Sequence, residues 1–495
     1  MRKLLMAAAA AVAVGASLGI AQAAEVSVVN PSLPQQPTAP AAPATPALSN
    51  GNNPVPLGSV APGQLVMRIE LQENVYFASG WSTTQSQGGD KMQPYGILGY
   101  PRLYMGVDGQ ATNGLLYGVY WQIRNGCETG VTCTSAGSGG TPGSAGVSAQ
   151  SGENSLFWRY AYIYAGTAQL GIGRIGVTPG PMMLFLGPGV FDDIATGGWN
   201  GDINDWENGA SFGQSGSAPN WPWPDVGNEY DSAKVVYLSP KFWNMMNFGF
   251  SYEPSDSLLT DGQNCAAANT TSLGAGFTNC NNQSTSTAAN DLQRRRNTIE
   301  LGGQFSNTFN GVGISAAIAG MFGGHVLPAA NNPGLGSFTS FTAGNGKTVT
   351  GSSGTTNFEN ILAGEARAAV TFAGVTVGGS VIGGQYNGQW APLNAGGIDS
   401  FAWMVGGEYN IGPLQVGASW FTWKYQGYWT LPGAQTDAGL EVGTTYNIAP
   451  GLNWYAEYLY GQRYKGDFNF ETGAPGAANN NAHVNIIGTG LGFRW

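Results

Sequence analysis

Between Thr178 and Asn228 the chain gathers six carboxylates, Asp192, Asp193, Asp202, Asp205, Glu207 and Asp225, and no lysine or arginine. The same stretch carries Trp199, Trp206, Trp221 and Trp223. Acids at this density attract cations, and the tryptophans offer flat surfaces for stacking. Asp202 to Gly209 has the outline of a calcium loop, but Trp206 stands at the third ligand position and Gly209 arrives two places late. The basic counterpart is the arginine set Arg68, Arg102, Arg124, Arg159, Arg174, Arg294, Arg295, Arg296, Arg367, Arg463 and Arg494. No catalytic constellation emerges, because His325 and His483 are the only histidines and neither adjoins a serine or cysteine in a hydrolase motif. The four cysteines form two local pairs, Cys127 with Cys133 and Cys265 with Cys280, each in a polar Gly/Ser/Thr/Asn-rich stretch. They read as loop disulfides of an exported chain, since neither pair has the C-x-x-C spacing of a zinc site. The expectation is a non-enzyme with no metal and no cofactor.

Those arginines all fall on segments with the period-2 alternation of β-strands. Sixteen such segments follow Gln64, at 64–78, 95–107, 113–125, 154–167, 168–177, 230–239, 242–253, 292–306, 311–323, 358–373, 374–387, 399–411, 413–425, 436–448, 451–465 and 482–495. Short links such as Gly166-Thr167, Ala373-Gly374, Gly412-Pro413 and Pro450-Gly451 alternate with long Gly/Asn/Ser-rich connections. Charged residues make up only 10% of the chain while glycine and aromatics abound. A soluble domain needs about 25% charge, but a transmembrane barrel hides one face of every strand in lipid. The reading is all-β: a 16-stranded antiparallel transmembrane β-barrel with short periplasmic turns and long external loops.

In that barrel most arginines must line the lumen, because a charge facing lipid near mid-membrane costs a few kcal/mol. Arg295, opposite in parity to Arg294 and Arg296, is expected near the rim. An acidic connection after the fifth strand, folded inward against the arginines, would create a transverse field in the pore; laid outside, it would cap the mouth.

Ahead of the barrel, Met1-Arg2-Lys3, an apolar run from Leu4 to Ile20 and Ala21-Gln22-Ala23 form a secretory signal over 1–23. Pro31, Pro34, Pro37, Pro40, Pro43 and Pro46 recur every third residue, the period of polyproline II, so 24–63 is expected to be an extended periplasmic spacer and 64–495 the barrel. Formal charge is −10, and the mature chain is two units more negative, which excludes nucleic acid as a partner and favours a mild preference for cations.

Phe157-Trp-Arg-Tyr-Ala-Tyr-Ile-Tyr-Ala-Gly166, Leu170-Gly-Ile-Gly-Arg-Ile175, Tyr230-Asp-Ser-Ala-Lys-Val-Val-Tyr-Leu-Ser-Pro240 and the C-terminal Gly490-Leu-Gly-Phe-Arg-Trp495 resemble the general trimeric porins of Gram-negative bacteria. The resemblance implies an outer-membrane homotrimer passing small hydrophilic solutes and ions by passive diffusion, in contact with lipid and lipopolysaccharide. It implies a third loop folded into the barrel, with constriction acids Asp192, Asp193, Asp202, Asp205 and Glu207. Arg68, Arg124, Arg159 and Arg174 would be the facing wall, and strand parity adds Arg294, Arg296 and Arg367. Phe493 and Trp495 would end the signal read by the barrel-insertion machinery. The Pro-rich segment, the longer loops and the cysteines depart from the family pattern. Two other functions remain open: a sugar-selective channel using the loop tryptophans, and an adhesion or structural barrel.

Overall fold

The computed structural model describes residues 61–83, 95–125, 156–187, 189–191, 194–200, 218–224, 232–255, 285–286, 295–325, 327–328, 340–342, 348–350, 359–390, 393, 396–428, 431, 433–471 and 474–494. Sixteen strands close into one antiparallel barrel: β1 Leu65–Ser82, β2 Tyr95–Gln110, β3 Leu116–Asn125, β4 Leu156–Thr167, β5 Gly171–Val177, β6 Ala233–Leu238, β7 Met246–Ser255, β8 Arg295–Phe309, β9 Val312–His325, β10 Ile361–Phe372, β11 Val375–Gln385, β12 Ser400–Ile411, β13 Leu414–Tyr425, β14 Gln435–Ala449, β15 Leu452–Tyr464 and β16 Asn481–Arg494. Each predicted segment has its strand. Closure comes from β1 pairing with β16, Gln72 opposite Arg494 and Ser82 opposite Val484, so no edge is left unpaired.

Alternation sorts the two faces. Ile163, Ile175, Val235, Phe248, Leu301, Ile487 and Leu491 are exposed on the outside. The opposite parity carries Asp108, Arg174, Glu300, Glu365, Arg367, Asp437, Glu441 and Glu457, all buried inside. This is the apolar-out, polar-in pattern of a membrane barrel. Tight turns join β8 to β9, β10 to β11, β12 to β13 and β14 to β15 at one end. Asn310-Gly311 and Ala373-Gly374 have both residues at positive φ, the I′ geometry that matches strand twist. The strand ends joined by the long connections all lie at the other end.

Among the described residues the register shifts at three places, in β4 against β3, in β8 against β9 and in β14 against β15, and the first changes which side chains face inward. Gln122 pairs with Tyr160 but Ile123 pairs with Trp158, leaving Arg159 as an extra residue in β4. The bulge turns both Arg159 and Tyr160 inward, where they are buried, and sends Trp158 out to 56% exposure.

One six-residue helix, α1 Pro181–Leu186, follows β5, starting on Pro181 after Gly180, and every one of its residues is buried. It packs against β7, β8, β9 and β10.

Candidate functional site: the lumen between two unlike walls

Beyond α1, the described parts of the 178–232 connection lie against inward-facing residues of β7 to β15. Room is made by glycine. A Cβ at Gly249 would meet Pro181 at 3.0 Å, one at Gly302 would meet Phe185 at 3.1 Å, and one at Gly439 would meet Trp199 at 2.4 Å. At Gly461 it would meet Pro219 at 2.5 Å, and at Gly417 Ile194 at 2.6 Å. These glycines leave a trough in the wall, and the connection fills it.

Polar groups of the wall then fix the backbone of the connection. Glu300 accepts the Met182 N–H at 2.9 Å and is itself 3.3 Å from the Lys234 ammonium, which also lies 3.5 Å from Glu253. Glu457 accepts from the Thr196 N–H at 3.3 Å and from its hydroxyl. Asp437 accepts the Asn220 N–H at 2.8 Å and the Tyr425 hydroxyl at 3.0 Å, with Arg463 at 3.4 Å. Arg367 donates to the carbonyls of Leu186 at 2.6 Å and Gly189 at 3.0 Å, closing the end of α1. Trp199, Trp221 and Trp223 are 3%, 7% and 0% exposed, so their rings are used in packing on the wall. Trp221 and Trp223 meet Phe421 edge-on, with centroids 5.1 and 5.8 Å apart.

The other wall, β1 to β5 with β16, is built of tyrosine and arginine. Tyr104, Tyr120, Tyr160, Tyr162 and Tyr164 form one cluster. Arg159 lies over the Tyr160 ring at 5.1 Å, Arg174 over Tyr162 at 5.2 Å and Arg494 over Tyr104 at 5.9 Å, each a cation–π contact. Asp108 receives Arg68 through two nitrogens, one at 2.9 Å, and also the Tyr164 hydroxyl. Arg494 pairs with Glu70. Arg102 and Arg124 stand directly opposite one another across β2 and β3. Like charges directly opposite one another in a strand pair cost stability.

At the external mouth, just past β15, burial pushes the Lys465 ammonium down to about 8, while Asp437 pulls it back up. Its Nζ donates to the carbonyls of Gln426 at 2.7 Å and Gly433 at 2.8 Å.

Of the residues predicted for the pore, Arg68, Arg124, Arg159 and Arg174 stand together on the tyrosine wall. Arg367 lies across the lumen, engaged with the connection. Asp192, Asp193, Asp202, Asp205, Glu207, Arg294, the side chains of Arg295 and Arg296, all four cysteines, Trp495 and residues 1–60 lie outside the described residues. The tyrosine cluster and the wall acids Asp437, Glu441 and Glu457 were not singled out from sequence. Inward parity of strand carboxylates and the tyrosine repeat in 160–164 could have shown both.

A closed barrel, apolar outside and polar inside, with two unlike lumenal walls, defines an outer-membrane channel. Residues 7–467 match the Gram-negative porin family, and the chain belongs to it. It is therefore a bacterial outer-membrane channel for passive diffusion. No curated protein matches the sequence. Among solved structures, an anion-selective porin from Comamonas acidovorans superposes with a TM-score of 0.50 at 12% identity, over 87% of this chain and 100% of that one. The trimer form of OmpT, an outer membrane protein of Vibrio cholerae, gives 0.45 at 12% identity over 87% and 99%. A mutant Rh. blastica porin gives 0.43 at 12% over 87% and 100%. At such identities the likeness is one of fold.

Proposed function

We propose that this chain is a general diffusion porin whose narrowest passage runs between the 178–232 connection and the arginine–tyrosine wall of β1 to β5 and β16. The observation that supports it most is the glycine trough with its carboxylate anchors, which gives the connection a place inside the barrel. On this reading Asp192, Asp193, Asp202, Asp205 and Glu207 belong to the connection and face Arg68, Arg102, Arg124, Arg159 and Arg174. The permeants are small hydrophilic solutes and ions. The anion selectivity stated for the Comamonas acidovorans porin would fit a passage ruled by the arginines; the acids of the connection argue for cations.

Channel rather than enzyme is our reading of the histidines too. His483 is held by Tyr460 at 2.9 Å on the outer side of β16. A sugar-selective channel loses support from the burial of three of its four candidate tryptophans. We read 1–23 as a cleaved signal, 24–63 as a periplasmic spacer and the cysteine pairs as external-loop disulfides. We also propose a homotrimer in contact with lipopolysaccharide, inserted by the barrel-assembly machinery. β5 and β6 have seven and six residues. At ~3.3 Å per residue and a tilt of ~40°, they rise ~15–18 Å, short of the ~25 Å apolar band, so this low wall calls for cover from a neighbouring subunit.

Liposome swelling with a graded series of neutral sugars tests the function. Rates should fall smoothly with solute size and rise linearly with concentration. Saturation by one sugar would replace this reading with the selective channel.

A further inference from the structure

The outward column of β1 reads Leu65, Met67, Ile69, Leu71, Glu73, Val75, Phe77, Ser79 and Trp81. Its apolar members are all exposed, and one carboxylate interrupts them. Glu73 is opposite Pro101 on β2 and Phe493 on β16, and directly opposed residues share a face, so it points outward beside Phe493. Other outward polar groups nearby satisfy each other within the chain. Trp454 donates to Thr489 at 2.9 Å, Tyr458 to Asn485 at 2.8 Å, and Tyr460 meets His483 at 2.9 Å. Glu73 has no such partner among the described residues. Nor does any lysine or arginine stand outward on the described parts of β1 to β5 or β16: Arg68, Arg102, Arg124, Arg159, Arg174 and Arg494 share the inward face.

A carboxylate in an apolar column with lipid against it is penalised, and ionisable groups inside a membrane persist where a partner or water meets them. We propose that Glu73 is an intersubunit contact: in the assembled protein it accepts a hydrogen bond from an N–H or O–H donor on a second copy of this chain. The second copy is the occupant because β1 continues, through β2 to β4, into the low wall of β5 and β6 that lipid alone cannot match. The inference rests on the homotrimer proposed above and names the site at which that assembly excludes lipid.

Wild-type protein, extracted without heating, is treated with a hydrophobic carbodiimide, which modifies carboxyl groups facing an apolar phase. The Glu73 peptide is then quantified by mass spectrometry in the assembled form and in folded monomers released by mild heating. Labelling should be about fivefold or more lower in the assembled form, as expected for a carboxyl shielded and engaged by a partner. In parallel, Glu73→Leu should lower the temperature at which the assembly separates into folded monomers by about 10 °C, while Glu73→Gln, which keeps an acceptor, stays near wild type. Equal labelling in both forms, or a Glu73→Leu assembly as heat-resistant as wild type, would overturn the proposal and leave the trimer standing. Recovery of folded monomers alone from unheated membranes would overturn the trimer and this contact with it.

Discussion

Gly439 shows how single positions shape the lumen. Its missing side chain is what lets Trp199 lie flat on β14 and donate to the Leu440 carbonyl at 3.2 Å. Gly439→Val would put a branched side chain where Trp199 and Phe421 now stand, and the barrel ladder, closed on itself, would hold. The indole should be displaced into the passage, with folded yield near wild type and single-channel conductance reduced. Unchanged conductance would mean that Trp199 does not border the permeation path. Much of this was legible in sequence as alternation, which placed Arg68, Arg124 and Arg174 inside. Arg159 was legible only in type, because the β4 bulge that turns it inward is set by pairing with β3 and leaves no local mark. The wall acids Asp437 and Glu457 escaped notice for a related reason: a strand carboxylate looks like a solvated pore residue until the segment it holds is seen against it.

At the scale of elements, the strands were legible and the connection was not. Period-2 alternation and short Gly/Pro/Asn links located all sixteen strands, since each must present one face to lipid and the other to water. The 178–232 connection has no periodicity of its own. Its helix α1 is six buried residues that owe their shape to the β7 to β10 wall, and its path depends on glycines distant in sequence. The final strand is different, because its outward Ile487, Leu491 and Phe493 are plain in the sequence and exposed in the structure. On the proposal that the barrel-assembly machinery inserts this chain, its terminal residue Trp495 would close the signal that the machinery reads. Trp495→Ala should therefore lower the heat-modifiable, folded fraction in the outer membrane severalfold, while surviving channels conduct as wild type. Normal assembly would remove the terminal residue from that role, and altered unit conductance would assign it to the pore.

For the whole molecule the question is which charges a permeating ion meets. The formal charge of −10 favours cations. Yet Glu300, Glu457 and Asp437 are engaged with the connection, while Arg102 and Arg124 share one lumenal spot. A weak cation preference is expected in the wild type, held down by the arginines. It should fade as salt rises, because the Debye length shrinks from about 10 Å at 0.1 M to about 3 Å at 1 M.

The most direct test is single-channel recording of the purified protein in a planar bilayer under a salt gradient, wild type beside Arg102→Gln/Arg124→Gln. A water-filled pore bounded by this wall gives discrete steps whose conductance rises in proportion to bulk salt. The double variant should shift the reversal potential toward cations by roughly a twofold change in permeability ratio at 0.1 M salt. An absence of steps would contradict the diffusion channel, and an unmoved reversal potential in a conducting variant would contradict the placing of its passage along the arginine–tyrosine wall.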